Sequence, residues 1–79
     1  MALLSLIESR SARVGVIGLG YVGLPLAMAV ARAGFTVVGF DTDPTKITAI
    51  EARQSYIEAV PDAVLAAEVT AGRFTATGD

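Results

Sequence analysis

Hydrophobic residues in this chain fall into short unbroken runs and longer runs with helical spacing. Val14, Val16 and Ile17 form a mostly apolar run, which is typical of a strand buried on both faces of a parallel sheet. Residues 36–40 are rich in β-branched and aromatic residues and predict a second strand. The residues between the two runs are helix-compatible, and the pattern predicts a helix over about residues 21–33.

Glycine, aspartate and proline residues mark the ends of the predicted helices. Gly34 can adopt the left-handed conformation that closes the first helix. Asp43 and Pro44 are typical of an N-cap and a first helical residue, so a second helix is expected over about residues 44–53. Residues 61–72 form another amphipathic run that begins with proline and ends with glycine, which predicts a third helix.

The remaining segments complete the element order βαβαβ. Residues 73–77 alternate between apolar and polar side chains and predict a short third strand. Right-handed crossovers would place the three parallel strands in the spatial order 3-2-1 with flanking helices, which is half of a Rossmann fold in the α/β class. Residues 13–79 would then be the N-terminal part of a truncated Rossmann domain. Residues 1–12 are expected to be an N-terminal leader or a short helix over residues 2–8.

The turn between the first strand and the first helix carries the pattern G-x-G-x-x-G. Gly18 suits a tight turn, Gly20 permits close approach of a pyrophosphate, and Gly23 permits tight packing of the helix on its strand. A helix that begins near residue 20 or 21 would also direct unpaired backbone N–H groups at bound phosphates. Three glycines can simply form a turn without binding a ligand, but the strand before them and the helix after them favour dinucleotide binding.

Asp41 follows the second strand, 18 residues after Gly23. A carboxylate at this place typically accepts hydrogen bonds from both hydroxyls of an adenosine ribose. It would repel a 2′-phosphate, and no arginine follows it directly, so the sequence favours NAD over NADP. Asp43 is interpreted as a helix cap, because two acids without a third oxygen ligand are poor evidence for a metal site.

Composition narrows the remaining possibilities. The chain has 79 residues and is 53% hydrophobic, more than one small domain easily buries, so we expect a homo-oligomer. The net charge of −2 and the lack of a basic run argue against nucleic acid and anionic membranes as partners. The absence of cysteine and histidine leaves no thiolate or imidazole for metal binding or catalysis. Residues 1–7 lack the basic start of a signal peptide, so a cytoplasmic location is expected.

The residues from Val16 to Ala27, VIGLGYVGLPLA, closely resemble the opening of the UDP-glucose/GDP-mannose dehydrogenase family. The Tyr-Val pair inside the glycine motif and the Leu-Pro-Leu-Ala after it are not general requirements of dinucleotide binding. The resemblance continues through residues 38–41, 55–58 and 72–77. The stretch Ser-Tyr-Ile-Glu at residues 55–58 is most similar to the UDP-N-acetyl-hexosamine branch. Arg53 departs from the family, because many relatives have glycine after the second helix; either the cap forms differently or the helix continues.

The resemblance implies an oxidoreductase of polysaccharide biosynthesis. Family members oxidise the C6 alcohol of a nucleotide-linked sugar to a carboxylate and reduce two NAD molecules, through a cysteine-bound intermediate. Their catalytic residues and sugar-binding domain lie well beyond residue 79, so the chain alone is expected to be inactive. The cofactor-binding residues implied by the resemblance are Gly18, Gly20, Tyr21, Val22, Gly23, Asp41 and Lys46.

Alternative interpretations stay open for several of these residues. Tyr21 could contact the cofactor or simply extend its hydroxyl into solvent, and Lys46 could contact the cofactor or be a solvated surface lysine. Glu58 could approach substrate in the full enzyme, or cap the following turn. For the chain as a whole, the rival hypothesis is a self-assembling half-Rossmann module that binds no cofactor. Asp41 distinguishes the two, since an assembly module has no need for a carboxylate there.

Overall fold

The computed structural model describes residues 6–8 and 13–78, which form one sheet with helices packed against it. In chain order, the elements are β1 (Leu6–Glu8), β2 (Arg13–Ile17), α1 (Gly23–Arg32), β3 (Thr36–Phe40), α2 (Pro44–Glu51), α3 (Asp62–Thr70) and β4 (Phe74–Thr77). None of the helices in these ranges is long and apolar enough to cross a membrane.

The sheet has the order β1-β2-β3-β4. Strands β2, β3 and β4 are parallel, with Val14 beside Val37 and Val37 beside Phe74. The predicted α/β architecture and the 3-2-1 order of three parallel strands are therefore confirmed. The connections through α1 and then through α2 and α3 each join neighbouring parallel strands, and such connections are right-handed in nearly all proteins.

The sheet also contains a fourth, antiparallel strand that the sequence did not predict. Strand β1 pairs with β2, with Leu6 opposite Val16 and Glu8 opposite Val14. The helix expected over residues 2–8 is thus wrong for residues 6–8, and its remaining residues lie outside the described part of the chain. Pairing with β1 gives hydrogen-bond partners to the edge of β2 that faces away from β3. Its partner β2 follows closely in sequence, but a short apolar segment such as residues 6–8 is compatible with either a helix or a strand.

All three described helices end in the same hydrogen-bond pattern, the Schellman motif. Gly34 and Gly72 close α1 and α3 with φ angles of 105° and 78°. Arg53 closes α2 with φ 60°, its N–H donating to Ile50 O at 2.9 Å and the Gln54 N–H to Ala49 O at 2.8 Å. The helix therefore stops at Glu51, slightly earlier than predicted, and arginine takes the left-handed conformation usually left to glycine.

The core lies between the sheet and the helices. Its largest fully buried side chains are those of Phe74, Leu19, Leu24, Ile50, Leu65, Val16 and Val37. Leu19 belongs to the glycine turn rather than to a helix or strand, and it packs over β3 at Gly39. A Cβ on Gly39 would lie 2.7 Å from Leu19 Cδ2, so the glycine makes room for this leucine. The core thereby fixes one side of the turn in place.

Candidate functional site

The glycine turn connects the end of β2 to the start of α1. Gly18 has φ 89°, a conformation that side chains rarely allow, and its N–H donates to Phe40 O at 2.8 Å. A Cβ on Gly23 would overlap the carbonyl oxygen of Gly18, whereas a Cβ on Gly20 would meet no atom within 4 Å. Glycine is thus required by conformation at residue 18 and by packing at residue 23. At residue 20 it leaves open space.

The first helix begins at Gly23, two to three residues later than the sequence suggested. Residues 20–22 belong to the turn, where the Leu24 N–H donates to Gly20 O at 3.1 Å. Val22 is the N-cap residue and its side chain makes no capping hydrogen bond. Within residues 13–78, no protein group accepts a hydrogen bond from the backbone N–H of Gly20, Tyr21 or Val22. These donors are available to a ligand.

Asp41 links the glycine turn to the start of α2. Its Oδ2 accepts from the Leu19 N–H at 2.9 Å, and its Oδ1 accepts from the Asp43 N–H at 2.9 Å. Lys46 Nζ lies 3.6 Å from Oδ2. Burial on its own would raise the pKa of Asp41, but the two backbone N–H groups and the charge of Lys46 outweigh it and leave the pKa below its usual value. The carboxylate is therefore ionised at neutral pH.

Asp43 has the structural role that the sequence predicts. It is the N-cap of α2, and its Oδ1 accepts from the Thr45 N–H at 2.9 Å and from the Thr45 hydroxyl at 2.6 Å. The hydrogen bond from the hydroxyl is the main cause that lowers the pKa of Asp43. Its carboxylate is committed to the start of the helix.

Tyr56 is a residue of this site that the sequence analysis did not single out. It lies in the connector between α2 and α3, and its hydroxyl donates to Leu19 O at 2.6 Å. Burial, followed by the negative charges of Asp41 and Asp43, raises the pKa of Tyr56 to about 12. The only signal was its place in the Ser-Tyr-Ile-Glu stretch, because no local pattern reveals a bond between residues 37 positions apart.

The surface beside the turn is apolar and open. Tyr21 is 84% exposed and Val22 is 68% exposed, and Ile17 at the end of β2 is also exposed. Glu58 is exposed on the connector. The structure thus brings Gly18, Gly20, Gly23, Asp41 and Lys46 together around one turn, and it leaves the side chains of Tyr21 and Val22 in solvent beside it.

These groups have a definite chemical character. Open backbone donors suit a phosphate, and a fixed carboxylate suits a pair of hydroxyl donors. No histidine or cysteine occurs anywhere in the sequence, and among the described residues no cluster of three acidic side chains could hold a metal ion. The groups present are therefore suited to binding a ligand that carries phosphate and hydroxyl groups.

Comparison with known proteins gives one consistent result. Residues 12–79 match the family model described as the UDP-glucose/GDP-mannose dehydrogenase family, NAD binding domain. A curated relative, the UDP-N-acetyl-D-mannosamine dehydrogenase of Pyrococcus horikoshii, is 42% identical over 45 residues, which are 57% of this chain and 11% of that protein. The chain therefore matches only about a tenth of that relative's length.

Solved structures show the same likeness. A UDP-D-ManNAc dehydrogenase from Pyrococcus horikoshii has a TM-score of 0.79 and 35% identity, over 85% of this chain and 16% of that one. A ternary complex of GDP-mannose dehydrogenase from Pseudomonas aeruginosa has a TM-score of 0.78 and 35% identity, over 86% of this chain and 16% of that one. Both likenesses cover most of this chain.

Proposed function

Since this chain belongs to the UDP-glucose/GDP-mannose dehydrogenase family, we propose that it is the NAD-binding portion of a nucleotide-sugar 6-dehydrogenase. In the complete enzyme, NAD would accept hydride as the C6 alcohol of the sugar is oxidised to a carboxylate. The 79-residue chain would bind the cofactor without catalysing this reaction, because the cysteine that such enzymes use is absent from it. Residues 13–79 would be the first part of the cofactor domain.

The glycine turn would hold the pyrophosphate. The backbone N–H groups of Gly20, Tyr21 and Val22 have no acceptor in the described part of the chain, and they lie at the positive end of the α1 dipole. The open space at Gly20 would be filled by a side chain of any other residue. The residues present therefore fit a phosphate ligand without help from a basic side chain.

The observation that carries the proposal is the position of Asp41, joined directly to this turn through Leu19. Each carboxylate oxygen accepts one backbone hydrogen bond and has further lone-pair capacity for a ribose hydroxyl. The negative charge would repel a 2′-phosphate, which favours NAD over NADP. Lys46 would sit beside the ribose as the partner of Asp41.

Calorimetric titration of the purified chain with NAD and with NADP tests this function. We expect saturable binding of NAD, weaker binding of NADP, and roughly tenfold weaker NAD binding in Asp41→Asn, equivalent to about 1.4 kcal/mol. Glu51→Gln, which neutralises an exposed carboxylate on α2, is the matched control and should bind like the parent. Absence of NAD binding would instead favour a module without a cofactor role, and equal NAD binding by the parent and Asp41→Asn would contradict the ribose role of Asp41.

We also propose that the chain self-associates. More than half of its residues are hydrophobic, and Ile17, Tyr21 and Val22, which are close in sequence, expose apolar surface. Light scattering at micromolar concentration should give a mass of at least a dimer. A monomeric mass would contradict this part of the proposal.

A further inference from the structure

The peptide between Leu19 and Gly20 is held by a side chain from a distant part of the chain. We propose that Tyr56 is a positioning residue for the glycine turn: its hydroxyl fixes the Leu19–Gly20 peptide so that the Gly20 N–H faces the pyrophosphate. This role rests on the proposed cofactor function, although the orientation of the peptide is a property of the protein alone. Tyr56 itself need not touch the ligand.

The geometry follows from the planarity of the peptide group. The described residues contain no cis peptide bond, so the carbonyl of Leu19 and the N–H of Gly20 point in opposite directions. The carbonyl is directed at the Tyr56 hydroxyl, 2.6 Å away. The N–H of Gly20 therefore points away from Tyr56, and no described residue accepts its hydrogen bond.

The preceding peptide is fixed in the same manner by a different residue. Asp41 accepts from the Leu19 N–H, so the carbonyl of Gly18 points the opposite way. That carbonyl oxygen lies where a Cβ on Gly23 would be, which places it against the first turn of α1. Two successive peptides of the turn are thus oriented by two side chains, Asp41 for the first and Tyr56 for the second.

The turn needs such support because glycine allows a peptide to rotate. Gly20 has no Cβ to restrict its backbone, and rotation of the Leu19–Gly20 peptide would exchange the N–H for a carbonyl oxygen. An oxygen in that place would repel a phosphate. Holding the N–H in position before binding reduces the ordering cost of the complex.

Tyr56 is well suited to hold the turn. Its raised pKa, about 12, keeps the hydroxyl protonated at neutral pH, so it remains a donor. The connector that carries it is fixed by its neighbours: the Ser55 N–H donates to Asp62 Oδ1 at 2.8 Å, the Ser55 hydroxyl donates to Ile57 O at 2.9 Å, and Ile57 is buried. A fixed donor 37 residues away is thereby presented to the turn.

The first test needs no ligand. Tyr56→Phe removes the hydroxyl and keeps the ring, and we expect the amide NMR signals of Leu19 and Gly20 to broaden as their peptide exchanges between orientations. The signals of Gly34 and Gly72, which close helices elsewhere, should not change. Thr70→Val removes a different side-chain hydroxyl that accepts from Arg53, and it is the matched control. Sharp, unshifted Leu19 and Gly20 signals in Tyr56→Phe would overturn the proposal.

The second test compares ligands with and without phosphates. Tyr56→Phe should bind NAD and adenosine diphosphate about five- to tenfold more weakly, as expected for one misplaced donor, while its affinity for adenosine stays the same. A general loosening of the fold would weaken all three ligands equally, and that result would count against a positioning role. If neither protein binds NAD while Gly20 is mobilised in the variant, the cofactor function fails and the orientation of the peptide by Tyr56 stands.

Discussion

The two ends of the parallel strands use their polar groups differently. At the end where the strands begin, which we call the closed end, every helix among residues 13–78 ends in a Schellman motif. Glu68 also accepts hydrogen bonds of 2.6 Å and 3.3 Å from Arg73 there. At the end where the strands finish, which we call the open end, the side chains of Asp41 and Tyr56 orient the backbone of the glycine turn. The N–H groups of residues 20–22 have no acceptor there among residues 13–78.

This difference separates stability from binding. Polar groups that are satisfied within the fold stabilise it and have nothing to offer a ligand. Backbone donors that are held in place but left without a partner add little to stability, yet they are ready for an anion. Substitutions at the closed end should therefore change unfolding, whereas those at the open end should change binding unless they disturb the packing of the turn.

The largest effect is expected for Gly23→Ala, because residue 23 affects both the stability of the fold and the shape of the binding turn. A Cβ at residue 23 would overlap the carbonyl oxygen of Gly18, and a backbone atom cannot move aside cheaply. Alanine is favoured over glycine in a helix by about 1 kcal/mol, but we expect the overlap to dominate and to destabilise the protein by about 3 kcal/mol. Urea unfolding measures this loss.

Gly20→Ala is the matched control for that substitution. Its Cβ would meet no atom within 4 Å, so the free energy of unfolding should change by less than about 1 kcal/mol. Binding of NAD should nevertheless weaken, because the methyl group would occupy the open space where we propose that the pyrophosphate binds. Equal destabilisation by the two alanine variants would contradict the distinction between packing and access.

At the closed end, Glu68→Gln should destabilise the protein without affecting NAD binding. Glu68 is only 4% exposed, and its carboxylate accepts two hydrogen bonds from Arg73. Glutamine cannot accept both, so we expect a loss of about 1–2 kcal/mol in urea unfolding. Weaker NAD binding by a folded Glu68→Gln would show that the two ends are coupled.

Acid should destabilise both ends. The hydrogen bonds from Arg73 lower the pKa of Glu68 although burial opposes them. Burial raises the pKa of Asp41, but its backbone hydrogen bonds outweigh this and the net shift is downward. A carboxyl with a lowered folded pKa adds stability above its unfolded value and loses it as pH falls toward the folded value. The free energy of unfolding should therefore be constant near neutral pH. It should decrease once the pH falls below the usual pKa values of these groups, 4.5 for Glu68 and 3.8 for Asp41.

Measuring the free energy of unfolding against pH for the parent and for Glu68→Gln separates the contribution of Glu68 from that of the other carboxyl groups. The variant should have a shallower loss of stability near pH 4.5, the usual value of Glu68. The remaining loss, which includes that of Asp41, should persist at lower pH. Identical profiles for the two proteins would show that the bonds between Glu68 and Arg73 contribute nothing to stability.

Local sequence signals predicted the parallel part of the sheet well. The apolar runs gave β2 and β3, Asp43 and Pro44 gave the start of α2, and handedness gave the strand order. Strand β1 was missed because a short apolar segment is compatible with helix or strand, although its partner β2 follows closely in sequence.

The site was predictable only where its chemistry is local. The glycine spacing and the distance to Asp41 located the turn and its carboxylate, and the structure also places Lys46 3.6 Å from Asp41. The hydrogen bond from Tyr56 was not predictable, because it joins a side chain in a connector to a backbone carbonyl in the turn. The acceptor is a backbone carbonyl, which every residue has, so the identity of residue 19 gives no sign of this bond.

The smallest effect is expected for Arg53→Gly, which tests how the closed end tolerates a residue other than glycine in the left-handed conformation. Arg53 has φ 60°, where a Cβ costs roughly 1 kcal/mol that glycine avoids. The arginine also donates from Nε to Thr70 Oγ1 at 3.0 Å and from a terminal guanidinium nitrogen to Glu51 O at 2.9 Å, but both bonds are exposed.

Because glycine gains more freedom in the unfolded chain and these bonds are lost, we expect Arg53→Gly to raise the free energy of unfolding by no more than about 0.5 kcal/mol. Arg53→Ala keeps the unfavourable φ and loses the same bonds, so it should be less stable than both the parent and the glycine variant. Thermal unfolding of the three proteins gives the order. If the alanine variant matches the glycine variant, the left-handed conformation of Arg53 costs nothing, and the bonds to Thr70 and Glu51 alone would set the difference from the parent.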